Sequence, residues 1–284
     1  MKAKRLLRRV VNRAGYDVVR LANAESAPPH RPGSADVLRP SSAALAAEAT
    51  VGPHIPADLD DATIETYLAV REYTMTSPER VAALCSAVTH IVRDNVPGDI
   101  VECGVWRGGS MLAAARTLLA HGDSERSLWL YDTFEGMPAP TDADVRGPDG
   151  APASQLLADS SRDSDLWAVS PLDDAQHVMA LSGYPLERVR YVVGRVEDTL
   201  PGTIPDSIAL LRLDTDWYES TRHELLHLVP RISPGGVLII DDYGFWKGAR
   251  RAVDEYIESS GCTWLMNRID ETGRLVLIPR EAGR

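Results

Sequence analysis

Long apolar runs are missing from this chain. No stretch approaches the roughly 18 residues that a membrane-crossing helix needs, so no membrane span is expected. Cysteine is scarce as well: Cys85, Cys103 and Cys262 are odd in number and show neither a CxxC nor a zinc-ligand spacing. That pattern points to free thiols in a reducing cytoplasm. Positive charge is concentrated at one end. Residues 1–20 carry seven basic side chains against Asp17, a local +6, so within a net charge of −11 the remaining chain holds −17. A body this acidic repels phosphate, which excludes nucleic acid as a partner outside the first turns. The opening segment lacks a signal peptide's uninterrupted apolar region and small-residue cleavage site, and no internal repeat is visible.

With 284 residues, 44% of them hydrophobic, the chain can bury one full core, and one catalytic domain with an extension is expected. Met1 to Asn23 reads as a basic amphipathic helix, with Leu6, Leu7, Val10, Val11, Val18, Val19 and Leu21 near helical spacing. Such a helix suits an anionic membrane surface or a partner, or packs on its own domain. Residues 24–57 turn to Ala, Pro, Ser and Gly and read as a linker. This gives an N-terminal arm over residues 1–60 and a main domain over 61–284. Ser77-Pro78-Glu79 opens a helix, with Ser77 as cap and Pro78 at its first position, and Val81, Leu84, Cys85, Val88 and Ile91 form its apolar face.

The densest chemistry lies between Ile208 and Asp242. Ile208-Ala-Leu-Leu-Arg-Leu213 is an apolar run ending in Asp214-Thr215-Asp216, and Gly235-Gly-Val-Leu-Ile-Ile240 is a second, ending in Asp241-Asp242. Two buried strands that each stop at paired acids predict neighbouring strands of a parallel sheet, their carboxyl ends opening into one crevice. Four carboxylates at one sheet edge repel each other unless a cation sits among them. Oxygen-only ligation favours a hard divalent ion, Mg²⁺ first, with Mn²⁺ or Ca²⁺ as alternatives. Taken singly, each Asp also fits a solvated strand end or a helix cap.

Upstream, Asp99 to Cys103 predicts a strand, followed by a glycine-rich turn to Ser110 and an apolar helix over Met111–Ala120. The pattern Glu102-x-Gly104-x-x-x-Gly108-Gly109 is not the dinucleotide fingerprint. A carboxylate entering that loop repels pyrophosphate but suits an ammonium or sulfonium group, both carried by S-adenosylmethionine. The next strand ends at Asp132, placed for a ribose diol. Residues 137–187 are long and polar, a lid, a substrate wall or a decorated surface loop, and Ser170-Pro171-Leu172-Asp173 reads as a capping-box start within them. After the third strand, Glu197 or Asp198 suits an adenine amino group or a helix cap. Asp270-Glu-Thr-Gly273 marks a closing antiparallel hairpin. Five strand–helix units and this hairpin argue for a doubly wound α/β sheet. His223 and His227, at metal-ligand spacing on a helix, read as a packing face because neither is near a strand end. Trp217, Tyr218 and Trp246 are candidates to wall a sugar site by stacking.

Five segments together carry a resemblance: Glu102-Cys-Gly-Val-Trp-Arg-Gly-Gly-Ser110, Tyr131-Asp-Thr-Phe-Glu-Gly-Met-Pro138, Glu197-Asp-Thr-Leu-Pro201, Leu213-Asp-Thr-Asp-Trp-Tyr-Glu-Ser220 and Gly235-Gly-Val-Leu-Ile-Ile-Asp-Asp-Tyr243. In order, from about Tyr73 to Pro279, the chain resembles the TylF/MycF-type sugar O-methyltransferases. The resemblance implies a class I methyltransferase fold with a seven-stranded sheet and an antiparallel last strand. It implies S-adenosylmethionine and Mg²⁺ as cofactors, and a deoxysugar hydroxyl on a macrolide- or aminocoumarin-like glycoside as substrate. Asp214, Asp241 and Asp242 become the metal ligands, and Asp216 the general base, with Asp214 as the other candidate. Thr74, Met75, Glu102, Gly104, Arg107, Gly108, Gly109, Ser110, Asp132, Thr133, Phe134, Glu197 and Asp198 become the cofactor contacts. In this family the N-terminal region contributes to the substrate lid and to dimer contacts, so a cytoplasmic homodimer is expected. Two other readings stand beside this one. Asp214-Thr-Asp216 is also the DxD of metal-dependent glycosyltransferases, and the basic helix with an acidic Ca²⁺ site describes a membrane-associated binding protein.

Overall fold

The computed structural model describes residues 55–280. The helix expected over residues 1–23, and all but the end of the linker after it, lie outside the described residues.

Each predicted strand of the sheet is present. β1 (Asp99–Cys103), β2 (Leu128–Asp132), β3 (Val189–Val193), β4 (Ile208–Leu213) and β5 (Ile232–Ile240) are parallel, and β6 (Met266–Arg268) and β7 (Arg274–Leu277) form the hairpin. The seven strands lie in the order β3-β2-β1-β4-β5-β7-β6, with β7 antiparallel to β5. All six residues of β4 are buried, which is why the central strand reads as an apolar run interrupted only by Arg212.

The two faces follow the period of the pleat. Ile100, Leu130, Leu210 and Ile239 point into one core, with side chains of α1 (Asp61–Val70), α2 (Pro78–Arg93), α3 (Gly109–Ala120) and α5 (Leu172–Ala180). Val101, Tyr131, Leu211 and Leu238 alternate with them into a second core, against α7 (Tyr218–Leu228) and α8 (Lys247–Ser260). Among the described residues, the remaining α-helices are α4 (Ala153–Ala158), within the polar stretch, and α6 (Val196–Thr199), after β3.

Cap chemistry fixes the helix starts. Asp60 accepts the Thr63 N–H at 2.7 Å to open α1, and Ser77 accepts that of Arg80 at 3.2 Å to open α2. The capping box expected at Ser170 is not formed. Pro171 occupies the cap position of α5, no side chain caps it, and Ser170 is therefore one residue too early.

The chain crosses from β3 on one flank to β4 on the other side of β1, so the strand order reverses between β1 and β4. Their ends are level: Cys103 pairs with Leu213, and Leu213 with Ile240. Gly104, Asp214 and Asp241 therefore emerge side by side. Gly104 has a φ of +81°, and a Cβ there would lie 2.0 Å from the Asp214 carbonyl oxygen. Gly122 also has positive φ, +74°, but open space around it. Replacing Gly104 by Ala should cost more than about 3 kcal/mol, against about 1 kcal/mol for Gly122→Ala. Urea unfolding of the two variants measures the contrast.

Candidate active site

A buried arginine organises the carboxyl ends of the central strands. Arg212, on β4 and only 4% exposed, donates from Nη1 to Glu102 Oε1 at 2.5 Å and from Nη2 to Asp241 Oδ1 at 2.7 Å, and the same Nη2 pairs with Asp214 Oδ2 at 2.7 Å. A second guanidinium, Arg80 of α2, donates to Asp241 Oδ2. Beside them, oxygens of Asp214, Asp241 and Asp242 all lie within 4.8 Å of one another. Asp216 and Asp242 face each other closely enough that each shifts the other's carboxyl, an arrangement that a shared proton or a bridging cation relieves. Five carboxylates (Glu102, Asp214, Asp216, Asp241 and Asp242) thus face two guanidiniums. Burial, and then the neighbouring acids, push the carboxyls of Asp214 and Asp242 well above the usual range and that of Asp216 up to about 7. This excess of negative oxygen fits a hard divalent cation, and the residues that would hold it are Asp214, Asp241 and Asp242.

Asp216 sits in a left-handed turn, φ +66°, which turns its carboxylate toward Trp246. The Trp246 indole N–H donates to Asp216 Oδ1 at 2.7 Å. Trp246 packs edge-to-face on Trp217 at 4.9 Å and on Phe245 at 5.1 Å, and both tryptophans are buried. Between the two acids, Thr215 donates to Glu224 Oε1 at 2.9 Å. Glu224 is fully buried on α7, and its Oε2 has no hydrogen-bond partner. Burial raises its carboxyl well above the ordinary range, which favours the neutral acid.

A cavity of about 460 Å³ opens over these groups. Of the residues singled out in the sequence, Met75, Gly104, Asp132, Thr133, Glu197, Asp214, Asp216, Asp241 and Asp242 line it, as do Trp217 and Trp246. Thr74, Glu102, Arg107, Gly108, Gly109, Ser110, Phe134, Asp198 and Tyr218 are not among its lining residues. Glu102 is turned to Arg212; burial raises its carboxyl to about 7 although Arg212 opposes the shift, and its Oε2 is unpaired. Gly108 caps α3, and Gly109 allows the Tyr73 carbonyl to approach within 2.9 Å of its N–H, laying the 73–76 segment against that helix. Ser110 Oγ lies 3.4 Å from the Thr74 hydroxyl, and Arg107 reaches the Glu72 carbonyl. Asp132 organises the loop itself. Its Oδ2 accepts the N–H groups of Val105 and Trp106 at 2.6 and 3.0 Å, and its Oδ1 accepts that of Phe134 at 2.8 Å. Neither Glu197 nor Asp198 caps α6 through its side chain. The His223–His227 pair packs ring on ring at 4.4 Å with His223 on the Leu200 carbonyl, away from the acids.

Several lining residues were not singled out, among them Arg80, Trp106, Met137, Leu166, Arg195, Phe245 and Thr272. Arg80 had a readable signal: it precedes Leu84 and Val88 by whole turns on the apolar face of α2, where a guanidinium needs a carboxylate. The 137–187 stretch supplies Met137, Pro138, Asp165 and Leu166 to the cavity. Asp144 fastens it: fully buried, it accepts the Thr141 and Tyr218 N–H groups, each at 2.7 Å, while Arg146 bridges to Trp246.

Residues 38–276 match the family model described as macrocin-O-methyltransferase (TylF). The chain is 38% identical over 201 residues to the 8-demethyl-8-(2,3-dimethoxy-alpha-L-rhamnosyl)-tetracenomycin-C 4'-O-methyltransferase of Streptomyces olivaceus, covering 71% of this chain and 74% of that one. It is 36% identical to the mycinamicin III 3''-O-methyltransferase of Micromonospora griseorubida, covering 71% and 76%. Among solved structures, the O-methyltransferase NovP aligns with a TM-score of 0.64 at 34% identity, over 73% of this chain and 83% of that chain.

The buried Glu224 carboxyl makes a stability prediction. Its folded pKa is raised above about 4.5, so the stability it confers is complete below that value and falls as pH rises toward the folded pKa. Glu224→Gln keeps the shape and removes the ionisation. Its melting temperature should gain on the wild type progressively from pH 5 to pH 8, and parallel melting curves would contradict the neutral-acid assignment.

Proposed function

The chain belongs to the macrocin O-methyltransferase (TylF) family, and from that premise we propose that it methylates a sugar hydroxyl of a glycosylated natural product with the help of a divalent cation, Mg²⁺ first. It is an S-adenosylmethionine-dependent O-methyltransferase of the class I fold. Membership of a methyltransferase family removes the support for the glycosyltransferase and Ca²⁺-binding readings of the same acids. The observation that carries the proposal is one cavity bounded by both the glycine-rich loop after β1 and the acids at the ends of β4 and β5. Relatives named for methylation of a rhamnosyl tetracenomycin and of mycinamicin support a glycoside as acceptor.

In this reading, S-adenosylmethionine supplies a methyl group on a sulfonium and the cation lowers the pKa of a hydroxyl beside it. Asp214, Asp241 and Asp242 hold the cation, with Arg212 fixing two of the three. Asp216 accepts the hydroxyl proton, with Asp214 as the alternative acceptor, and the Trp246 N–H holds Asp216 in place. Gly104, Thr133, Glu197 and Met75 contact the cofactor. Asp132 serves it by shaping the loop, its own oxygens being taken up by backbone donors. Glu102, Gly108, Gly109, Ser110 and Thr74 support that wall from behind. Trp217, Trp246, Phe245 and the wall from residues 137–187 exclude water from the acceptor. A cytoplasmic homodimer completes the reading.

Thermal unfolding tests the cofactor first. S-adenosylmethionine at about a hundred times its dissociation constant should stabilise the protein by roughly 2.7 kcal/mol. A shift with a uridine diphosphate-sugar instead would overturn the assignment. For the chemistry, Asp216→Asn should keep that stabilisation and lower turnover by about 10²- to 10⁴-fold on a deoxysugar glycoside. Asp214→Asn and Asp241→Asn should each abolish turnover, and near-normal rates in Asp216→Asn would pass the proton to Asp214.

A further inference from the structure

Arg80 and Arg212 both touch Asp241, but their surroundings differ. Arg212 lies beneath the acids with Glu102 as a dedicated buried counter-charge, and it belongs to the scaffold. Arg80 lies at the cavity surface, its side chain 17% exposed, and it arrives from α2 rather than from the sheet. Its Nη1 donates to Asp241 Oδ2, an oxygen of the acidic trio. Its Nε lies 3.0 Å from Asp270 Oδ2, yet that N–H is buried and not aimed at any acceptor. The guanidinium is therefore hydrogen-bonded to one carboxylate and ion-paired to a second, without a directed hydrogen bond to it.

Asp270 is held ready for it. Its Oδ1 accepts the N–H groups of Thr272 and Gly273 at 2.9 and 2.7 Å, and its Oδ2 accepts the Ser77 hydroxyl at 2.8 Å, three residues before Arg80. Thr272 lines the cavity, and its carbonyl accepts the Gly244 N–H at 2.9 Å, two residues after Asp242. A positive charge entering the trio would meet the Arg80 guanidinium, bonded to one of the three acids, as a like charge. In a water-poor cavity that repulsion is strong, and a partial rotation toward Asp270 relieves it without stranding the guanidinium.

Resting on the divalent-cation site proposed above, we propose that Arg80 is the internal counter-ion of the acidic trio, which an incoming cation must displace from Asp241 onto Asp270. Arg80 then sets cation affinity below what three carboxylates alone would give. Its release carries the occupancy of the site to the 270–273 turn on the cavity rim.

The test is Mn²⁺ binding to the full chain, followed as loss of the free-ion electron paramagnetic resonance signal at fixed ionic strength, with Asp214→Asn identifying the site concerned. Arg80→Gln should bind Mn²⁺ roughly fivefold or more tightly than the wild type. Asp270→Asn removes the alternative partner and should bind it more weakly. Opposite signs are the signature, because a merely structural role for Arg80 and Asp270 would weaken binding in both folded variants. Unchanged or weaker binding in Arg80→Gln, with normal wild-type binding, overturns the counter-ion role alone. No site lost in Asp214→Asn overturns the cation site and, with it, this role.

Discussion

A guanidinium in the middle of a parallel sheet has no water to turn to, and every donor it carries must find an acceptor among its neighbours. Arg212 finds Glu102 on β1, Asp214 at the end of its own strand and Asp241 at the end of β5. Three adjacent strands are tied at one level by a single side chain. The arrangement works in both directions. Without the acids the arginine would be an unpaired buried charge, and without the arginine the acids would repel each other apart. The orientation of Asp214 and Asp241, and hence whatever those acids bind, is inherited from this contact.

Floor and wall of the cavity are built on different terms. The floor comes from strand ends whose positions follow from the sheet register, so its side chains cannot shift without breaking the ladder. The wall comes from a long excursion between β2 and β3, anchored through Asp144 at the start of α7 and through the Arg146 bridge to Trp246. A few fastenings hold it, and the surface it presents between them, including Met137 and Leu166, is free to differ. On the proposed reading, the acceptor would be recognised where the backbone is least constrained, and the proton handled where it is most constrained.

Much of this was readable in the chain. Buried parallel strands announce themselves as apolar runs, and acids at the ends of two of them can converge only if the strands are neighbours, as β4 and β5 are. The sequence of motifs gave the sheet and the acidic cluster together. What the chain did not reveal is lateral. Glu102 looked aimed at a ligand because it precedes the glycine loop, but its partner, Arg212, is 110 residues away. Asp132 reads as a ribose acceptor, and its oxygens also accept backbone N–H groups from the loops after β1 and β2, a role nothing in the sequence marks. Arg80 meets Asp241 across 161 residues, and nothing local in either segment marks that pairing. At Ser170 the failure was local: the proline after it, in extended conformation, occupied the cap position, which left the serine one residue too early.

The clamp around Arg212 also has a history in synthesis. Glu102, Arg212, Asp214 and Asp241 leave the ribosome in that order, so a nascent chain that has paired β1 with β4 already holds the arginine and its first counter-charge. Its last partner arrives only with β5, and until then β4, apolar apart from Arg212, stands as an open edge. A stalled or shortened product is thus left with a sticky sheet and an incomplete charge balance.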